Sequence, residues 1–209
     1  MKITDRDCQV VSEIARWKYC LGRQIRILGG FTGQRATDRR LKILIDSLYI
    51  ERHRIIYGVA GLYFVTKTGL SFFGIDTTPS KPRLDQIYHD IAVVDTAIYV
   101  MKSRNIKSSD IKTEKQYRKE QGFNPRKHLP DYIFIKDNKT YCVEVELSLK
   151  SKPRLEKNIA ENYSNYDSQC FIVPRNRGII KERVKDISKK YTDIELIDLE
   201  DIEQYVLGL

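Results

Sequence analysis

Apolar residues recur in steps of three and four over the first fifty positions, then fall into short runs separated by turn residues, so two kinds of element are predicted. Thr4 stands where an N-cap belongs, Asp7 takes the capping-box place of a Glu or Gln, and Val10, Val11, Ile14 and Trp17 follow at helical spacing. A short second helix is predicted from Leu21 to Leu28, with Ile25 and Leu28 inward and Gly29-Gly30 ending it in a tight turn. A third helix runs from about Gln34 to Tyr49. Its apolar stripe is Leu41, Leu44, Ile45 and Leu48, whereas Arg35, Arg39 and Lys42 fall at i, i+4 and i+7 on another. Tyr49-Ile50 and Arg52 to Tyr57 then read as extended, Gly58 and Gly61 as a turn, and Leu62 to Thr66 as a second strand. This predicts a β-hairpin with Arg52, His53 and Arg54 on or near it.

Residues 76–83 form a turn-rich polar run that predicts a linker between a domain at 1–75 and another at 84–209. Beyond it a helix is expected from about Leu84 to Ser103. Its stripe of Leu84, Ile87, Ile91, Val94, Ile98 and Met101 fits packing on a sheet or a dimer seam; at under three heptads, packing is preferred. After a possible strand at about 110–118, Tyr132–Ile135 and Thr140–Leu147 flank the turn Asp137-Asn138-Lys139 as a hairpin. A basic helix (about Pro153–Tyr163), a buried strand (Cys170–Val173), a helix (Ile179–Lys190), a strand (Glu195–Ile197) and a final helix (about Leu199–Val206) complete an α/β pattern.

Helix, helix, turn, basic helix and hairpin, in that order, is the layout of a winged helix-turn-helix, whose third helix enters the major groove while the wing follows the backbone. On that reading Arg35, Arg39, Lys42, Arg52 and Arg54 face DNA; the bland alternative is a helical domain with a basic solvated face. Charge supports the first. Of 37 Lys and Arg against 28 Asp and Glu, residues 1–80 hold 13 against 7, so the basic excess of +9 is concentrated where the helix and hairpin lie. Such an excess suits a polyanion and predicts salt-sensitive binding.

No run approaches the ~18 apolar residues of a membrane span, and MKITDRDCQV has no signal-peptide core, so a cytoplasmic protein without a membrane partner is expected. Cys8, Cys20, Cys142 and Cys170 are scattered without zinc-ligand spacing and are expected reduced. Gly29-Gly30 lacks the Lys-Ser/Thr of a phosphate loop. His89 and His128 have no ligand partner at i+4; His89 reads as a packing residue, and His128 stands beside Pro130-Asp131.

The chemically suggestive segment is Asp131, followed by Val143-Glu144-Val145-Glu146-Leu147-Ser148-Leu149-Lys150. Strand alternation puts Glu144 and Glu146 on one face, and Asp131 on the neighbouring strand can bring a third carboxylate, a donor set suited to Mg2+ or Mn2+. Lys150 or Lys157 could then orient water or steady a phosphate. The alternative is the solvated outer face of an edge strand, where alternating Glu and Val is ordinary.

Pro130-Asp131 and Glu144-Val145-Glu146, in their order of strands and helices, resemble the signature of the PD-(D/E)XK nuclease superfamily over most of residues 84–173. More narrowly, Asp5-Arg6-Asp7, Leu62–Thr66 with Thr68-Gly69, His89-Asp90, Thr113-Glu114 through Arg118, His128, and Val143–Ser148 with Lys150 resemble the replication-relaxation family of plasmids and mobile elements. That resemblance implies a winged helix joined to a restriction-endonuclease-like α/β domain, double-stranded DNA as partner, other DNA-processing proteins nearby, and a homodimer as a further possibility. It implies catalysis by Asp131, Glu144, Glu146 and Lys150 if the domain is active, and sometimes a further acidic ligand, for which Asp90, Asp95 and Glu114 are candidates. The chain departs from the superfamily at Glu146, which occupies the usual lysine position. This leaves open a DNA endonuclease or a non-catalytic regulator or relaxosome accessory protein.

Overall fold

The first helix, α1 (Asp5–Arg16), begins where the sequence places its cap. In this computed structural model, which describes residues 2–121 and 128–209, the Asp7 carboxylate accepts hydrogen bonds from Thr4 N at 2.7 Å and Thr4 Oγ1 at 2.8 Å. The same carboxylate is paired with Arg40, so the start of α1 is tied to α3 (Gln34–Asp46). Between them run β1 (Cys20–Leu21) and α2 (Gly22–Leu28). Two further strands, β2 (Ile50–His53) and β3 (Leu62–Val65), complete an antiparallel sheet of order β1-β3-β2, with Leu21 opposite Leu62 and His53 opposite Leu62 on the other side.

Helix α3 stops at Asp46, two residues before its apolar stripe ends at Leu48. Leu48 N–H donates to Ile45 O at 2.8 Å and Tyr49 N–H to Leu44 O at 3.0 Å, a paired closure that requires the intervening residue to be left-handed. Leu48 accordingly has φ 60° and is 68% exposed; it is not the core residue that periodicity predicts. Gly30, after α2, fills the same role with φ 62°. Leu41 and Leu44 are buried as expected, each contributing about 1.5–3 kcal/mol.

Strand β2 ends at His53, earlier than expected, because Ile55, Ile56 and Val59 of the following connection fold back on Tyr19, Leu21, Leu62, Phe64 and Ile87. After β3 comes α4 (Lys67–Phe72), not anticipated from the sequence. Thr66 starts it by accepting from Gly69 N–H at 2.9 Å while its hydroxyl donates to Leu48 O at 2.6 Å. Gly69 is obligatory: a Cβ there would lie 2.1 Å from the Tyr49 carbonyl oxygen.

Helix α5 (Ile87–Ser103) starts after Leu84, which is exposed, and from Ala92 to Ile98 every residue is buried. It therefore has no single stripe there, and Asp95 and Thr96 are buried along with the apolar residues around them. The chain divides into two units, Met1–Val94 and Asp95–Leu209, and the division falls within α5, beyond the polar run at 76–83.

The second unit continues, after a turn of 3-10 helix at Ser108–Asp110, with β4 (Ile111–Thr113), α6 (Glu114–Gln121), β5 (Tyr132–Lys136) and β6 (Lys139–Val145). Only 111–113 of the possible strand at 110–118 is extended. Next come α7 (Lys152–Asn165), β7 (Ser168–Val173), α8 (Gly178–Ser188), β8 (Ile194–Asp198) and α9 (Leu199–Leu207). The sheet order is β4-β5-β6-β7-β8, antiparallel from β4 to β6 and parallel from β6 to β8. Asp137 and Asn138, both at positive φ, make the tight β5–β6 turn. Leu155 and Ile159 of α7 and Ile180, Val184 and Ile187 of α8 pack on Phe171 and Val173. This makes β6 a central strand.

Candidate functional site

On α3 the buried residues Thr37, Leu41 and Leu44 define the inner face. Arg35, Arg39 and Lys42 lie on the exposed side. Lys42 reaches Asp46 one turn on, at 2.9 Å, whereas Arg35 and Arg39 meet no carboxylate among the described residues. Arg40 belongs elsewhere. Its guanidinium is held by Asp7, and although burial alone would raise the Asp7 carboxyl, the bonds from Arg40 and Thr4 outweigh it and hold Asp7 below the usual value. In the β2–β3 hairpin Arg52 lies over the Tyr63 ring, 5.5 Å from its centroid, and Arg52 and Arg54 are both exposed. The unit thus presents the five expected cations outside its core.

In the second unit, Glu144 lies on β6 and Glu146 just past its end, where Glu146 N–H donates to Ile172 O at 2.8 Å and extends the ladder by one residue. Glu144 is only 4% exposed and Glu146 2%. The solvated edge strand is therefore excluded: this is an interior strand with two buried carboxylates. Because Glu144 is paired in register with Phe171, both face the side covered by α7. There Asn162 Nδ2 donates to Glu144 Oε1 at 3.1 Å, and His128 Nε2 contacts the same oxygen. The His128 backbone N–H donates to Glu161 Oε2 at 2.9 Å, fixing the segment that leads into β5.

Asp131 sits at the mouth of β5. Its backbone bonds Val143 O at 3.1 Å and accepts from Glu114 N–H at 3.0 Å, and its Oδ2 accepts from Val145 N–H at 2.8 Å, between the two glutamates. Lys150 is paired with Glu146. Burial raises the Glu146 carboxyl above its ordinary value; Lys150 pulls the other way, and the charges of Glu144 and Asp131 add to the rise. The three acids therefore feel one another. Among the described residues no group of three or more His, Cys, Asp or Glu side chains is arranged to hold a metal ion. Oxygen donors of this kind suit Mg2+ or Mn2+, which need only one or two carboxylates with water completing the shell, and like charges buried together are what a cation relieves. Asp131, Glu144 and Glu146 are oxygen donors of that kind.

The other anticipated residues have settings of their own. Lys157 is 3.6 Å from Glu161. Asp90 accepts from Lys18 Nζ at 3.1 Å and Tyr19 Oη at 2.6 Å, Asp95 is fully buried in α5, and Glu114 is bound by Arg118 at 2.6 Å. His89 is 3.6 Å from Asp90. Among the described residues no cysteine is joined in a disulfide, and of the four only Cys8 is exposed. Sequence reasoning overlooked Asn162 and Glu161. The signal was available: Asn158 and Asn162 fall at i+3 and i+7 from Leu155, polar residues on a buried stripe. Among the described residues no helix is long and apolar enough to cross a membrane.

No protein-family model matches the chain, and a search of curated proteins finds no match.

Proposed function

We propose that the chain is a double-stranded DNA-binding protein whose first unit is a winged helix-turn-helix, with α3 as recognition helix and the β2–β3 hairpin as wing. The observation that carries this reading is the division of α3 into a face locked into the core by Leu41 and Leu44 and an opposite face that presents Arg35 and Arg39. Guanidinium groups in that setting make bidentate contacts to phosphate or to guanine edges, while Arg52 and Arg54 follow the backbone. The order of motifs that resembles the replication-relaxation family supports a role in replication, relaxation or mobilisation of a plasmid or mobile element. A mobility-shift titration on duplex DNA tests it: the native chain binds and the Arg35→Ala/Arg39→Ala variant loses most of its affinity.

In the second unit, the reading best supported is a PD-(D/E)XK-like domain. Asp131, Glu144 and Glu146 would hold Mg2+ or Mn2+. Such an ion, when bound, lowers the pKa of its water and neutralises charge on a phosphodiester oxygen. Asn162 and His128 orient Glu144, and Lys150 offers a cation beside Glu146 for a phosphate. A second reading, a non-catalytic accessory protein or regulator, is favoured by the same pairs, because Lys150, His128 and Asn162 already give both glutamates partners from the protein itself. Supercoiled plasmid with Mg2+ or Mn2+ separates the two: nicking by the native chain that disappears in Asp131→Ala supports the nuclease, and equal behaviour of both supports the accessory protein.

A further inference from the structure

Within the first unit a groove is lined by Arg23, Gln34, Asp38, Arg52, Gly61 and Tyr63, between the start of α3 and the β2–β3 hairpin. At Gly61 a Cβ would fall 2.6 Å from Arg52 Nε, so a side chain there would displace Arg52 from the groove wall. One residue is out of keeping with this surface. Asp38 is an exposed carboxylate on a helix whose neighbouring outward positions are Arg35, Arg39 and Lys42. It is not idle, because Gln34 Nε2 donates to its Oδ1 at 2.7 Å, one turn of helix apart, which fixes both side chains. Burial raises the Tyr63 phenol, with Arg52 drawing it down and Asp38 pushing it up, so the carboxylate's field extends across the groove.

A carboxylate is repelled by phosphate and by the acceptor edges of guanine and the O4 of thymine. In the major groove its partners are the exocyclic amino groups of cytosine and adenine, and a carboxamide one turn away can pair with an adenine edge. We infer that the Gln34–Asp38 pair is the base-selecting element of this protein, reading an amino-bearing base, while Arg35 and Arg39 supply most of the affinity. This rests on the DNA-binding reading above and deepens it. Asp38 then sacrifices general affinity for discrimination: it weakens binding to any duplex that offers no amino group at its position.

The experiment is selection from a randomised DNA duplex pool by the full chain, by Asp38→Ala and by Asp38→Asn, with circular dichroism to establish that each variant is folded. Asp38 is exposed, so both variants should keep the fold. The expected result is a native motif with cytosine or adenine at one or two adjacent positions. Asp38→Ala loses about tenfold of discrimination there, leaves other positions unchanged and binds unselected duplex more tightly; Asp38→Asn changes the favoured base. An unchanged motif in both variants, or weaker binding of Asp38→Ala to unselected duplex, overturns the inference. Native binding without base preference overturns it too and leaves DNA binding intact, whereas failure of the native chain to bind any duplex contradicts the reading on which it rests.

Discussion

The Asp131 carboxylate accepts a hydrogen bond from the Val145 backbone N–H at 2.8 Å, so the acid at the start of β5 closes the ladder of β6 between Glu144 and Glu146. Asp131 therefore has a structural task separable from any ligand role. Asp131→Ala leaves the N–H of buried Val145 without this acceptor and should cost about 1–3 kcal/mol. Asp131→Asn keeps a carbonyl acceptor and should cost clearly less. Urea denaturation of both variants measures the difference; equal losses would contradict the assigned bond.

Glu146 gives a pH dependence of known sign. Its carboxyl is raised by burial beyond what Lys150 recovers, so the folded state holds this proton more tightly than the unfolded chain does. The contribution to stability is full below the ordinary value of 4.5 and is lost as pH rises through the folded value. Glu146→Gln removes the titration, so its stability relative to the native chain should improve progressively above pH 4.5, as read by denaturation midpoints across the acidic-to-neutral range.

Asp7 behaves oppositely. Its lowered carboxyl stabilises the fold above the ordinary value of 3.8, and that stability is lost as pH falls through the folded value. Asp7→Asn weakens the Arg40 pair and the Thr4 cap together, with an expected cost of about 2–3 kcal/mol at neutral pH that shrinks in acid. A cost that did not shrink would contradict the ion pair.

How far the fold was legible shows at particular residues. Asp137-Asn138, Gly29-Gly30 and the Thr4–Asp7 cap are local signals that need no tertiary context, and the structure has a turn or helix end at each. The two-residue strand Cys20–Leu21 carries no period of its own and exists through pairing with Leu62 and Tyr63. Leu48 misled because helical spacing continued one step past the closure that ends α3. Burial of Glu144 and Glu146 was hidden for a different reason: alternation gives the face of a strand but not whether a helix covers it, and α7 does.

Two backbone positions give contrasting tests. Leu48→Gly relieves a left-handed leucine and exposes no core, for a gain of about 0.5–1 kcal/mol. Gly69→Ala drives a methyl group into the Tyr49 carbonyl and should cost at least about 1–3 kcal/mol. Thermal unfolding of the two variants should move in opposite directions.

The central claim, that the exposed face of α3 binds duplex DNA, is tested most directly by the salt dependence of the binding constant. Titrations of labelled duplex at several salt concentrations should give a steep negative slope of log affinity against log salt for the native chain. For each phosphate-contacting arginine among Arg35 and Arg39, substitution by alanine should make that slope shallower by about one. Affinity and slope unchanged in the Arg35→Ala/Arg39→Ala variant would contradict the account.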